Sequence, residues 1–192
     1  MPKVLPEYKD LVKSKIIDAA LNIFALKGFY GSTMLDIARK IGISKATLYF
    51  YFKSKEDLLR MISITIYQTL GEIFRSSFEG DDFDAAAGKI HDRVVDDVLP
   101  QLPVGLEILS LASRDEQVKT MVQKDRETGL DAIQAALQHQ MDKGLVTNAV
   151  DARVLAQLVL GLCWDMMMQH LIGQDRLLVR DAWIESLSTV LK

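Results

Sequence analysis

The sequence predicts an all-α protein, with a small N-terminal three-helix unit followed by a larger helical domain. Apolar residues recur at spacings of three and four along the chain, and no segment sustains the apolar/polar alternation of a strand between hairpin turns. The four prolines, at positions 2, 6, 100 and 103, leave the interiors of the periodic segments unbroken. With 192 residues, 49% of them apolar, the chain can fill a real core.

Ile16, Ile17, Ala20, Leu21, Phe24 and Ala25 make one face of a first helix that stops near Gly28. A second begins at the Ser32/Thr33 cap, carries Ile37, Ala38 and Ile41, and ends at Gly42, a residue suited to the left-handed geometry after a helix end. Ser44 caps a third, whose body Lys45-Ala46-Thr47-Leu48-Tyr49-Phe50-Tyr51-Phe52 is rich in strand-forming residues. It sits between the cap signals Ser44 and Ser54 and places Leu48, Tyr51 and Phe52 at i, i+3 and i+4, so a short helix is expected. Ser54-Lys55-Glu56-Asp57 looks like a capping box with Asp in place of Glu, and opens a long helix through Leu58, Leu59, Ile62, Ile66, Leu70 and Phe74 to Gly80. After Gly80-Asp81-Asp82, helices are expected at about 84–98, 103–113, 115–142, 151–172 and 177–191, separated by Pro100 and Pro103, by Gly144 and by Gly173.

The formal charge of −3 argues, taken whole, against a nucleic-acid partner. Its distribution reverses that inference. Residues 1–60 hold eleven Lys/Arg against six acids, a net +5, which leaves −8 on the remainder. A basic front on an acidic body suits a chain in which one module alone must approach phosphates.

Two short helices joined by Gly42-Ile43-Ser44 meet the requirements of a helix-turn-helix, whose second helix places its N-terminal residues in the major groove. The candidate DNA contacts are Thr33, Ser44, Lys45, Ala46, Thr47, Tyr49, Lys53 and Lys55. The hydroxyls and ammonium groups among them can donate to phosphate oxygens, and Lys45, Ala46 and Thr47 can also meet base edges or a thymine methyl. Leu48 and Phe52 are expected to hold this helix on its support, and Phe50 and Tyr51 to pack.

Ile16-Ile17-Asp18-Ala19-Ala20, Gly28-Phe29, Ser32-Thr33, Asp36-Ile37-Ala38, Gly42-Ile43-Ser44-Lys45, Thr47-Leu48-Tyr49, Tyr51-Phe52 and Lys53-Ser54-Lys55 together strongly resemble the TetR family of transcriptional regulators. The resemblance covers roughly residues 12–62; Phe50 and Leu35 stand where many or some members carry a polar or basic residue. It implies a DNA-binding domain at 1–53 and a helical effector-binding and dimerisation domain at 54–192. It further implies a homodimer on a pseudo-palindromic operator, a repressor released when a small, largely apolar effector enters the second domain.

In the acidic half, the segment 151–172 is apolar on two faces, Leu155, Leu158, Val159, Leu162 and Met166 on one and Leu160, Gly161, Trp164, Met168 and Leu171 on the other. A helix apolar nearly all round must be covered twice, and a second copy of the chain is the simplest second cover. Leu160, Gly161, Trp164 and Met168, with Trp183 and Leu187 of the last helix, are therefore expected at a dimer interface. Gln157, Asp165, Gln169 and His170 make the segment a poor membrane span, so it is expected to be a buried helix. Soft side chains suggest an effector pocket lined by Tyr67, Leu70, Phe74, Leu162, Cys163 and Met166, a placement that follows mainly from the resemblance.

No Gly-rich phosphate loop, HExxH or nucleophile elbow is present, so no enzyme, metal or cofactor is expected. His91, His139 and His170 fall on separate predicted helices. The single Cys163 excludes an intrachain disulfide, and the cytoplasm is the expected compartment. The alternatives are a helical small-molecule carrier, or a metal or thiol sensor, without operator-specific binding.

Overall fold

The computed structural model describes residues 6–78 and 82–192, and among them no strand occurs. The helices are α1 (Pro6–Gly31), α2 (Met34–Ile41), α3 (Lys45–Tyr51), α4 (Lys55–Ser77), α5 (Phe83–Arg93), α6 (Leu102–Ala112), α7 (Glu116–Asp142), α8 (Ala152–Leu171) and α9 (Arg176–Leu191). Gly80 and Asp81 of the expected loop lie outside the described residues. The chain forms two compact units, Met1–Thr65 with Pro103–Val122, and Ile66–Leu102 with Gln123–Lys192.

In the first unit, Ile16, Ala20, Phe24, Ile37, Leu48, Leu58, Leu59 and Ile62 make the core, each 1% exposed or less. The expected stop near Gly28 takes the form of a break inside α1, where Gly28 has φ 71° and ψ 164°. That left-handed φ is open to glycine and strained for a residue with a Cβ. The break frees the Phe29 N–H, which donates to the Glu107 carboxylate of α6. On the carbonyl side, Lys55 Nζ donates to Phe29 O (2.6 Å) and Ser32 O (2.8 Å), and lies 4.5 Å from the Phe29 ring centroid. The turn before α2 is thus held by a cation and an anion from distant helices.

The capping box sits at a different helix from the one expected. Thr33 Oγ1 accepts from Asp36 N–H (3.1 Å), while Asp36 Oδ2 accepts from the Thr33 N–H (2.9 Å) and hydroxyl (2.7 Å). At α4, Ser54 Oγ accepts from Asp57 N–H (3.2 Å), but Asp57 Oδ2 reaches one residue too far back, to Lys53 N–H (3.0 Å). The reciprocal half of a box is missing there.

The second unit departs from the expected break between 98 and 103. A π turn over Val94–Val98 and a 3₁₀ turn over Leu99–Gln101 carry the chain into α6 with no intervening loop. Pro100 cannot donate to residue 96 and its ring crowds that carbonyl, so the local pitch changes while the path stays helical. Pro103 falls in the first turn of α6, where the missing N–H costs little. Ile73, Phe74, Ile90, Val94, Leu130, Ile133, Leu137, Leu155, Val159 and Leu187 are fully buried in this unit. A Cβ built on Gly71 would lie 2.6 Å from Ala132 Cβ, so α4 and α7 touch there with no room for any side chain larger than hydrogen.

Candidate nucleic-acid interface

The support helix α2 and the reading helix α3 are positioned by short-range polar bonds on one side and by an apolar seam on the other. Leu48 (0% exposed) and Phe52 (5%) pin α3 from beneath, as expected. Gly42 ends α2 at φ 73°, and its N–H bonds back to the Ala38 and Arg39 carbonyls. Ser44 starts α3 with Oγ accepting from Thr47 N–H (3.0 Å), and the two hydroxyls lie 2.8 Å apart. The outward face then carries Ser44, Lys45, Ala46, Thr47, Tyr49 and Phe50, all exposed. Lys45 Nζ rests 5.6 Å from the Tyr49 ring centroid, one helical turn away, which gathers a cation and a hydroxylated ring at one spot.

Each expected contact is placed differently by this geometry. Lys45, Ala46, Tyr49 and Lys53 present free surface, Lys53 at the exposed approach to α4. Thr33 is exposed, but both its hydroxyl hydrogen and its backbone N–H are held by Asp36, and Lys27 Nζ (2.9 Å) closes that cluster. The hydrogen bond from Lys27, then those from Thr33, hold the Asp36 carboxyl down at about 2, so the cap is ionised near neutrality. Lys55 is a correction: its ammonium is spent on the Phe29 and Ser32 carbonyls, so it builds the turn instead of facing a phosphate. Phe50 is another, since at 73% exposed it touches the Tyr51 ring edge-on and packs into no core. Glu107 and Asp36 were missed by sequence reasoning. A Thr-x-x-Asp pairing was readable at 33–36, whereas nothing local marks Glu107.

The residues assigned to the second domain also sort differently. Leu70 (2% exposed), Phe74, Cys163 (both 0%) and Met166 (2%) are core, and Leu162 is half-buried. Of the six expected pocket residues, Tyr67 alone lines the cleft of about 480 Å³ between α4 and α7, with Gly71, Thr128, Ala132, Ala135 and Gln140 among its neighbours. Burial pushes the Cys163 thiol far up, so it stays protonated and out of reach of solvent oxidants.

Trp183 (3% exposed) and Leu187 (0%) turn inward, the Trp183 Nε1–H donating 2.8 Å to Ala87 O, and are removed from the candidate dimer contacts. Leu160 and Met168 are half-buried; Gly161 and Trp164 are exposed. The apolar groups left at the surface of α8 and its turn into α9 include Leu158 (49%), Ile172 (70%), Leu177 and Leu178 (both 69%). Helix α8 is long and apolar enough to cross a membrane, yet only 33% of its most apolar window is buried, fewer than a fully covered helix would show.

The histidines are not all separate. His91 Nε2 and His170 Nε2 lie 3.0 Å apart, and His91 Nδ1 lies 2.9 Å from Asp92 Oδ1, where it donates. Arg180 Nε donates to the same carboxylate at 3.2 Å. Burial pushes both imidazoles below the usual histidine value, with Arg176 adding to the effect at each. No group of three or more His, Cys, Asp or Glu that could hold a metal occurs among the described residues.

Residues 16–62 match the family described as bacterial regulatory proteins, tetR family. Over 148 residues the chain is 31% identical to the uncharacterized HTH-type transcriptional regulator YfiR of Bacillus subtilis (strain 168), covering 74% of this chain and 72% of that relative. The chain belongs to the TetR family. It is therefore a DNA-binding transcriptional regulator and not an enzyme. A stretch of 47 residues is also 47% identical to the biofilm operon icaADBC HTH-type negative transcriptional regulator IcaR of Staphylococcus aureus (strain COL), a match that spans 24% of this chain and 25% of that one. Salmonella enterica GusR superposes with a TM-score of 0.78 at 22% identity, covering 100% of this chain and 99% of that chain, and so shares the TetR fold across both halves.

Proposed function

We propose that this TetR-family chain is a repressor that binds a pseudo-palindromic operator as a homodimer and releases it when a small, largely apolar effector binds. The observation that carries the reading is the outward face of α3, where Lys45, Ala46 and Tyr49 stand exposed above the buried Leu48 and Phe52. In this reading Lys45 and Ala46 meet base edges in the major groove, and Tyr49 and Lys53 meet phosphates. Ser44 and Thr47 cap α3 and contribute whatever hydrogen-bonding capacity the cap leaves. Residues 1–53 act as the DNA-binding domain, and 54–192 as the effector-binding and dimerisation domain.

The dimer contact is assigned to the exposed apolar groups of α8 and α9, with Gly161 allowing close approach, since nothing lies within 4 Å of a Cβ built there. Such a patch on a soluble regulator needs a cover, and a two-fold copy supplies one from the same residues. Helix α4 is the element available for coupling: it starts beyond the reading helix, and its later residues Tyr67 and Gly71 line a cleft. Repression is favoured by the name of IcaR as a negative regulator. Operation in the cytoplasm follows from the DNA target.

Selection of bound fragments from genomic DNA, followed by anisotropy titration of the recovered sequence against salt, tests the reading. Enrichment of a two-fold related site, with affinity falling linearly in log–log form as salt rises, is expected. Recovery of no common sequence, or binding indifferent to salt, would overturn it in favour of a carrier without operator specificity.

A further inference from the structure

Helix α3 carries one large side chain that neither the core nor the caps use. Phe50 is 73% exposed, and its ring meets the Tyr51 ring edge-on at 5.2 Å between centroids. Each residue of an α-helix turns the face by about 100°, so Ala46 and Phe50, two residues before and after the fully buried Leu48, both fall within about 20° of the line opposite it. They stand one turn apart on that line, and both are exposed. Lys45 and Tyr49 flank this apolar stripe on one side, Thr47 and Tyr51 on the other. With Leu48 seated in the core, the part of α3 that reaches furthest outward is a methyl group and a phenyl ring.

A phenyl ring carries no charge and no hydrogen-bonding group, so it cannot pair with a phosphate or with the donors and acceptors of the base edges. The apolar group that the major groove offers is the thymine 5-methyl. Tyr51 limits how far the Phe50 ring can turn away, since an edge-on ring contact has a preferred geometry. An apolar wedge between stacked bases is the other use of an exposed ring on DNA, but it belongs to proteins seated in the minor groove. We infer that Phe50 is a specificity-determining residue of the reading helix, its ring covering the 5-methyl group of one thymine in each operator half-site. The inference rests on the operator-binding reading of α3 and adds the base that this residue selects.

The test takes the operator recovered by fragment selection, replaces its thymines with deoxyuridine one at a time, and titrates each duplex with the full chain by anisotropy. Deoxyuridine keeps the base pair and the O4 acceptor and removes only the methyl group. Covering one methyl corresponds to about fourfold in affinity, from about 0.8 kcal/mol per buried carbon at about 1.36 kcal/mol per tenfold. Replacement at one thymine per half-site is therefore expected to weaken binding about fourfold, and replacement at both related thymines about fifteenfold. Phe50→Ala is expected to leave the unfolding midpoint in place, to weaken binding to the thymine operator, and to hold thymine and deoxyuridine equally at that position. The effect at any thymine that Ala46 covers should persist in this variant. Phe50→Leu, which keeps an apolar cover, is expected to retain a preference of about twofold. A Phe50→Ala chain that keeps every deoxyuridine effect of the natural chain overturns the inference. So does an operator indifferent to deoxyuridine throughout, or one with no thymine in its half-sites, and in either case the operator reading stands. Recovery of no common sequence removes the operator reading itself, and the inference falls with it.

Discussion

The caps of α2 and α3 and the packing of the second unit both rest on polar bonds, yet those bonds span very different sequence distances. At the starts of α2 and α3, the capping bonds join Thr33 to Asp36 and Ser44 to Thr47, three residues apart, and Lys27 to Asp36, nine apart. In the second unit, His91 meets His170 and Trp183 meets Ala87 across 79 and 96 residues. The starts of α2 and α3 are built from local caps, which form as their helices form, while the turn before α2 also draws in Lys55 and Glu107 from 26 and 78 residues away. The second unit depends on elements far apart in the chain being in place together.

The largest expected effect strikes the long-range side of this comparison. Trp183→Ala removes a buried indole together with its bond to Ala87 O, and is expected to cost about 3–5 kcal/mol in denaturant unfolding. If the two units unfold separately, circular dichroism should show the second transition moving and the first staying put. A single shared shift would mean that the two units unfold as one cooperative body.

Next is Lys45→Ala, expected to weaken operator binding by about 1–3 kcal/mol while leaving the unfolding midpoint unchanged. A gel-shift titration with unchanged affinity would remove Lys45 from the interface. Thr33→Ala breaks the capping box and is expected to cost about 1 kcal/mol of head stability. Because Thr33 spends its donors on Asp36, its effect on DNA affinity should follow from a looser α2 and carry no base preference of its own. Substitution of Thr33 that changes sequence preference would contradict this.

The smallest expected effect is with pH. His91 and His170 have folded values below the unfolded histidine value of about 6.5, so the unfolded chain binds more protons in the window below it. Stability from this pair is complete above about pH 6.5 and declines as pH falls towards the folded values. Protonation would set two cations against each other beside Arg176 and Arg180, with Asp92 and Asp96 the acids facing them. Melting temperature should fall between pH 7 and pH 5, and His170→Gln should flatten that slope. The Asp36 cap, already ionised, should contribute nothing to it until pH approaches 4.

Much of the head was legible from residue order. Gly28 and Gly42 were expected to end helices, and both do so at positive φ. Ser44 was expected to cap α3, and Leu48 and Phe52 to seat it. The strand-forming run at 45–52 was correctly read as helix because caps and spacing outweigh propensity over so short a stretch. The role of Lys55 was illegible, because a lysine beside a reading helix has the same local context whether it faces a phosphate or a carbonyl 26 residues away.

The chain by itself determined most of the helices, the Ser44 cap, the basic front and the family, since each rests on contacts or charges within a few residues. Which apolar residues of 151–191 face the core was decided by the tertiary structure alone. A helix apolar nearly all round, as α8 is, offers no periodic signal to tell Leu155 and Val159, which turn inward, from Leu158 and Trp164, which do not. The same holds for His91 and His170, whose 3.0 Å approach joins residues 79 apart that no local pattern connects.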